Sequence, residues 1–325
     1  MHGSHFCSSS YTLSCKERES ALRTERMSQR FADLDAWPTS DAVMAMFEGQ
    51  LSAAAAINSQ VDALAQAAEE AAGRLRESSG RMVYIGAGTS GRLAVLDGVE
   101  LGPTFGWAPE RLLYGIAGGM DALTRSIENA EDDAESGRDF AASARLNRSD
   151  VVIGVSASGS TPFTVAAVRE ASSASALTIA IASNADSPLL LAAEHPILLD
   201  TGPELVSGST RMKAGTAQKV ALSLLSTAVM LRLGRVYKGL MVDMRASNQK
   251  LRSRAISTVA EIGGVDSPAA QSALDRAGGD IKLASLVAMG MDVENARNCL
   301  AACGDNLRVA IDSCGAARPP AGTDE

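Results

Sequence analysis

Met82-Val83-Tyr84-Ile85 runs into Gly86-Ala87-Gly88-Thr89-Ser90-Gly91-Arg92, and Val151-Val152-Ile153-Gly154-Val155 runs into Ser156-Ala157-Ser158-Gly159-Ser160-Thr161-Pro162. Each is a short apolar run of strand length, closed by a turn of small residues and followed by a stretch with helical character. A strand that ends in such a turn and opens a helix leaves backbone N–H groups unpaired at the positive end of the helix dipole. That end attracts anions, and hydroxyls on the turn add donors. Two such turns in one sheet point to a phosphorylated small molecule gripped from two sides.

Outward from these turns the pattern repeats. Strands are expected at Met82–Ile85, Leu112–Ile116, Val151–Val155, Leu177–Ala182 and Pro196–Leu199. Helices are expected near Gly91–Gly98, Asp121–Ala144, Pro162–Ala171 and Ser187–Ala193. Such alternation predicts an α/β fold with a parallel, right-handed, doubly wound sheet. Ligands of these sheets bind at the carboxyl ends of the strands, where both turns lie. Before the sheet, Val43, Met46, Phe47, Leu51, Val61, Leu64 and Leu75 recur at helical spacing and predict two helices. After it, a long helix is expected from Ser209 to Leu233, then several short helices from Asn248 to Ile311. The expected division is a loose extension over 1–26, N-terminal helices over 27–78, a sheet domain over 79–246 and a helical domain over 247–325.

Composition narrows the function. Apolar residues make up 46% of the 325, enough for a large core, and aromatics only 4%. The net charge is −8 with no basic block, which argues against a nucleic-acid partner. No apolar run reaches the roughly 18 residues of a membrane span. The first 26 residues lack the apolar core of a secretory signal. The five cysteines, Cys7, Cys15, Cys299, Cys303 and Cys314, sit only at the two ends, so no disulfide framework is expected and the chain suits the reducing cytoplasm.

What is missing bounds the mechanism. Between residues 27 and 298 there is no cysteine and a single histidine, His195, placed at a strand start where a structural role is expected. A cysteine nucleophile or a multi-histidine metal site inside the sheet domain is therefore disfavoured. Gly86-Ala87-Gly88-Thr89-Ser90-Gly91 also fits G-x-G-x-x-G, but a dinucleotide site needs an acid about 20 residues on, at the end of the next strand. That strand ends in Tyr114-Gly115-Ile116-Ala117-Gly118-Gly119, with no acid before Asp121. Phosphate binding alone fits better. In the second turn Ser156, Ser158 and Thr161 offer three hydroxyls where one would cap the helix. Acid–base chemistry falls to carboxylates, Lys, Tyr or hydroxyls. Glu100 follows the first turn, and Glu128 and Glu131 stand three apart on the expected helix 121–144. The residues by themselves do not choose among these three.

A third polar stretch, Thr201-Gly202-Pro203-Glu204-Leu205-Val206-Ser207-Gly208-Ser209-Thr210-Arg211-Met212-Lys213-Ala214-Gly215-Thr216, precedes the long apolar helix. Ser209 or Thr210 suits its cap, and Arg211 and Lys213 bring positive charge towards an anion site. With I-G-A-G-T-S-G-R-L and S-A-S-G-S-T-P, this stretch resembles the N-acetylmuramic acid 6-phosphate etherase family, of the sugar isomerase (SIS) fold. The likeness runs from Thr24-Glu25-Arg26 through Gly239–Met244 and Asn248–Leu251 to the C-terminal helices. It departs at Ser28, where the family usually has Asn, and at Glu48-Gly49, where it has Glu-Asp.

The resemblance implies a five-stranded parallel sheet, a homodimer and a small ubiquitin-associated-like helical C-terminal region. It implies cleavage of the D-lactyl ether of N-acetylmuramic acid 6-phosphate without metal or nucleotide cofactor. Glu100 matches the family's catalytic acid in L-D-x-x-E, and Glu131 its second glutamate in A-E-D. Ser90, Ser156, Ser158 and Thr161 match the phosphate-binding hydroxyls, with Gly88, Thr89, Gly159, Ser209, Arg211 and Lys213 as further substrate contacts. Two other readings use the same fold: a sugar-phosphate sensor without turnover, and an aldose–ketose isomerase that would release no lactate.

Overall fold

The computed structural model describes residues 22–76, 80–246 and 248–313. Strands β1 (Met82–Gly86), β2 (Leu112–Ile116), β3 (Val151–Val155), β4 (Leu177–Ala182) and β5 (His195–Leu198) form one sheet in the order β2-β1-β3-β4-β5. Every pairing is parallel. The expected doubly wound sheet is present, its strands lying on the apolar runs. β1, β3 and β4 are buried along their whole length, as a sheet covered by helices on both faces requires.

Alternate side chains divide between the two faces. One face packs Met82, Tyr84, Ile153 and Ile179 with α2 (Val61–Leu75), α3 (Gly88–Phe105) and α7 (Lys213–Arg232). The other packs Val83, Ile85, Val152 and Ala180 with α4 (Ala134–Ser143), α5 (Pro162–Ser173) and α6 (Pro188–Ala192). α1 (Thr39–Ala55) lies against α7 and buries only Ala45 and Ala53. Its periodic apolar residues Val43, Phe47 and Leu51 stay more than half exposed. α7 is long and apolar enough by composition to cross a membrane, and 56% of that stretch is buried. Its Leu222, Leu225 and Val229 belong to the core under the sheet, which explains its apolar content.

Three expected helices change length. The helix after the first turn runs on to Phe105 rather than stopping near Gly98. The expected helix 121–144 shrinks to Ala134–Ser143. Residues 124–133 form turns and one short 3₁₀ segment, with Asn129 in the left-handed region. That stretch is acidic and offers no periodic apolar face to bury, so Glu128 and Glu131 do not share a helix. The helix expected from Ser209 starts only at Lys213.

The chain past α7 makes a short hairpin, β6 (Val236–Tyr237) and β7 (Leu240–Met241), then α8 (Gln249–Gly263), α9 (Ser267–Arg276), α10 (Ile281–Ala288), α11 (Val293–Ala302) and α12 (Leu307–Ser313). These helices share a second core, built on Val259, Leu274, Leu286 and Leu300. Buried Lys282 pairs with Asp243 at 2.6 Å and Asp305 at 2.8 Å, tying α10 to the chain just past the hairpin and to the turn before α12. Cys299 is disulfide-bonded, while Cys303 is free. At the other end, Arg23–Glu25 forms a 3₁₀ turn with Thr24 fully buried. The expected loose tail therefore lies outside the described residues only as far as position 21.

One buried network joins three elements. Tyr84 on β1 donates to Asp97 on α3 at 2.9 Å, and Ser226 on α7 donates to its other oxygen at 3.2 Å. Burial pushes the Asp97 carboxyl above the ordinary aspartate range, against both hydrogen bonds. The folded chain thus holds this proton where the unfolded chain has lost it. The resulting stability is fully present below the ordinary aspartate value and is lost as pH rises through the raised one. Asp97→Asn keeps an acceptor for Tyr84 without the charge. Urea melts from pH 4 to 8 are expected to show it at least as stable as the parent at high pH, with a flatter pH profile. Asp97→Ala strands the Tyr84 hydroxyl and is expected to cost about 1–3 kcal/mol.

Candidate functional site

The chain passes from β1 to β2 on one side and then crosses to β3 on the other. The sheet order reverses between β1 and β3, whose carboxyl ends pair as Gly86↔Val155. The crevice outside such a reversal is where open α/β sheets take ligands. Both small-residue turns leave from it: Ala87 to Gly91 after β1, and Ser156 to Thr161 after β3.

Neither turn caps its helix with a side chain. α3 begins after Ala87 and α5 after Thr161 without a side-chain cap bond. The first N–H groups of both helices therefore stay open to a ligand. In the second turn the hydroxyls face one another instead. Ser156 Oγ lies 2.8 Å from Thr161 Oγ1 and 3.3 Å from Ser158 Oγ, and it accepts from the Gly159 N–H at 3.1 Å. Gly159 sits at φ +69°, and a Cβ there would stand 2.2 Å from Ser187 Oγ, so only glycine folds this turn. In the first turn Ser90 is buried, while Gly88 and Thr89 reach the surface. Gly86 and Gly91 touch so closely that a Cβ on Gly86 would meet the Gly91 nitrogen at 2.8 Å.

A third helix start adjoins the first turn. Gly215 of α7 packs beside Thr89 and Leu93 of α3. Here an intrachain anion occupies the helix end. The buried Glu204 carboxylate accepts from the Lys213 N–H at 3.0 Å and the Ala214 N–H at 2.9 Å. The cap is therefore Glu204, rather than Ser209 or Thr210. Burial raises its carboxyl and lowers the Lys213 ammonium. Lys213 Nζ donates to the carbonyls of Thr201 and Pro203, so this charge braces the 201–213 loop. Ser209 lies in the turn ahead of α7, and Arg211 is exposed.

A strap from the N-terminus closes the second turn. Asn184, just past β4, donates to Thr24 Oγ1 at 3.2 Å and to the Ala157 carbonyl at 3.0 Å, and accepts from the Arg23 N–H at 2.8 Å. Neither Asn184 nor Glu204 was assigned a role from sequence. Glu204 stood within a recognised motif, but nothing local marks it as the acceptor for a helix nine residues on.

The two candidate glutamates part company. Glu131 lies in the exposed 3₁₀ segment Ala130–Asp132, which packs against α5. The chain just after it, at Ala134, shares a hollow of about 390 Å³ with Ser160 and Pro162 of the second turn. Asp133 fixes the segment's exit by accepting from the Ser136 N–H at 2.9 Å and hydroxyl at 2.6 Å. Glu100 is exposed on α3, ten residues after Ser90. That is about 15 Å along the axis, in a cleft with Asp97, Thr104, Lys219 and Ser223. Because α3 does not stop early, Glu100 is not beside its own phosphate turn. Away from this site, His195 lies 2.9 Å from Glu70, with Glu194 alongside, at the start of β5.

Residues 63–172 match the glucokinase regulatory protein N-terminal SIS domain, and residues 123–228 match the SIS domain. An N-acetylmuramic acid 6-phosphate etherase of Deinococcus radiodurans is 46% identical over 88% of this chain and 94% of its own length. The enzyme of the same name from Streptomyces coelicolor is 45% identical over 89% and 93%. That of Salmonella choleraesuis is 41% identical over 90% and 98%.

Proposed function

The chain belongs to the N-acetylmuramic acid 6-phosphate etherase family, and from that membership we propose how its residues carry the family's reaction. The activity is that of a carbon–oxygen lyase: removal of D-lactate from N-acetylmuramic acid 6-phosphate to leave N-acetylglucosamine 6-phosphate. The protein works in amino-sugar recycling, in the cytoplasm and as a homodimer. A pair of helix N-termini without side-chain caps, at adjacent strand ends, carries the reading, because their first N–H groups can grip a phosphate.

Ser90, Ser156, Ser158 and Thr161 hold the 6-phosphate, with the backbone of Gly88, Thr89 and Gly159. In the open-chain sugar the C1 aldehyde acidifies the C2 proton, and the ether oxygen sits on C3. Glu131, beside the second turn, removes the C2 proton. The electron pair forms the C2–C3 double bond as the C3–O bond breaks, and Glu100 protonates the departing lactate oxygen. Water then adds at C3 and a proton returns to C2. One carboxylate must be ionised and the other protonated at the same pH, which calls for different surroundings.

Part of the chain matches a regulatory protein's domain, but the relatives that span it are etherases, so the sensor reading is not favoured. Incubation with N-acetylmuramic acid 6-phosphate is expected to release D-lactate and N-acetylglucosamine 6-phosphate in equal amounts. Binding without lactate would favour a sensor, and a ketose phosphate an isomerase. Ser158→Ala removes one hydrogen bond to a charged group, worth roughly 1.5–3 kcal/mol. It is expected to raise KM tenfold to a hundredfold. An unchanged affinity for phosphorylated sugars in the folded variant would remove Ser158 from the phosphate site.

A further inference from the structure

The N-terminal strap reaches the second turn through a single side chain, Asn184. Its amide has two hydrogens to donate and one oxygen to accept. One hydrogen goes to the Ala157 carbonyl at 3.0 Å and the other to Thr24 Oγ1 at 3.2 Å, while the oxygen accepts from the Arg23 N–H at 2.8 Å. Thr24 is fully buried and Asn184 is 4% exposed, so bulk solvent does not make good a bond lost there. We propose that Thr24 and Asn184 are positioning residues of the phosphate site: the strap, acting through Asn184, holds the 157–158 peptide so that the Ser158 N–H points at the bound 6-phosphate, and strap closure and sugar-phosphate binding favour one another. This rests on the reading of the second turn as a phosphate site.

The Ala157 carbonyl accepts from two groups just past β4, the Ser183 N–H at 3.0 Å and the Asn184 amide. It therefore points towards β4. The described residues contain no cis peptide bond, and in a planar trans peptide the N–H points opposite to the C=O. The N–H of this peptide belongs to Ser158, so it points away from β4. β3 lies between β4 and β1. Away from β4 is thus the β1 side, where the sheet order reverses and the first turn stands. Ala157 also separates Ser156 from Ser158, so a tilt of its peptide plane shifts the Ser158 N–H and the spacing of two hydroxyls together.

The strap is tied down on its other side as well. The Thr24 carbonyl accepts from the Gly208 N–H at 3.4 Å, and the Glu25 carbonyl from the Ser207 hydroxyl at 2.6 Å. Arg23 pairs with Asp200. These partners belong to the segment that leads into α7, whose Gly215 packs beside Thr89 of the first turn. The strap therefore links the approach to the first turn with the peptide of the second, and a ligand gripped by both turns draws on both attachments. Such coupling is reciprocal: what the strap adds to phosphate affinity, bound phosphate returns as strap stability.

Two measurements on the full chain test this. Thr24→Val keeps the shape of the side chain and removes its hydroxyl, and Thr24→Ser restores the hydroxyl. Loss of one neutral hydrogen bond corresponds to about a threefold to tenfold change in an equilibrium. Thr24→Val and Asn184→Ala are expected to raise KM for N-acetylmuramic acid 6-phosphate, and to weaken binding of N-acetylglucosamine 6-phosphate, by about that factor with kcat little changed. Thr24→Ser is expected to recover the parent affinity. A folded Thr24→Val chain with the parent's affinity would overturn the positioning role. The second measurement needs no variant. Arg23 and Arg26 are exposed on the strap, and trypsin cleaves after arginine. Saturating N-acetylglucosamine 6-phosphate is expected to slow cleavage at these two sites, read by mass spectrometry, whereas N-acetylglucosamine without the phosphate is not. Strap cleavage that the bound phosphosugar leaves unchanged would overturn the coupling. A parent chain that binds no phosphorylated sugar would remove the phosphate site itself, and the strap's role with it.

Discussion

Glu131→Gln is expected to lose both lactate release and exchange of the C2 proton with solvent, whereas Glu100→Gln is expected to lose lactate release and keep exchange. The difference follows from the order of events. Proton removal at C2 needs only a base and the aldehyde's acidifying effect, so it proceeds in deuterated water even when the C3–O bond cannot break. Blocking the acid leaves the carbanion to pick up deuterium and return. Blocking the base stops both processes. Removal of one acid–base group costs roughly 10²–10⁴-fold in turnover, well above the background of a lactate assay. Near-normal lactate release from either variant would take that residue out of the mechanism, and the reverse exchange pattern would swap the roles. If Glu131→Gln keeps exchange, Glu128 becomes the base to test, although the left-handed Asn129 between them turns the chain away from a common helical face.

The sheet and its two phosphate turns were legible because their signals are local. β1, β3 and β4 are short, mostly apolar runs buried at every position, and each glycine- and serine-rich turn follows its strand, β1 or β3, directly. Helix ends were less legible. Gly98 in α3 suggests a stop, but it lies where Tyr114 and Tyr84 crowd in, with a Cβ there only 2.7 Å from the Tyr114 ring. Tertiary packing, not a turn, asks for glycine at that point. The helix therefore continues and carries Glu100 away from Ser90. The strand–helix alternation predicts helix over residues 121–133, yet only Ala122 of the segment is buried, and a segment without a buried face does not make a helix. The cap on α7 and the Asn184 clamp on Thr24 join residues 9 to 160 positions apart. No periodicity encodes such partners. The exposed stripe of α1 shows the same limit from the other side: helical spacing of apolar residues identifies the face to be covered, not what covers it.

Glu204→Ala is expected to have the largest effect on stability of any single change near the site. Its carboxylate is fully buried and accepts the Lys213 and Ala214 N–H groups that open α7. Alanine leaves both donors unpaired, at the start of the helix that lies under the sheet and beside the first phosphate turn. It also removes one of the two negative charges, with Asp200, that support the buried Lys213 ammonium, which keeps its hydrogen bonds to the Thr201 and Pro203 carbonyls. Leaving a buried donor unpaired typically costs about 1–3 kcal/mol for each of the two, a large share of the roughly 5–15 kcal/mol that holds a domain together. Glu204→Gln separates the two contributions. Burial penalises the ionised carboxyl, and the amide oxygen keeps an acceptor at the cap, so glutamine is expected to cost less than half as much as alanine. Urea unfolding read by far-ultraviolet circular dichroism gives the comparison directly. Equal losses for Gln and Ala would show that the negative charge itself holds α7 in place. A negligible loss for Ala would show that the 201–213 loop finds another acceptor, and that Glu204 is not what orders the third helix start beside the phosphate site.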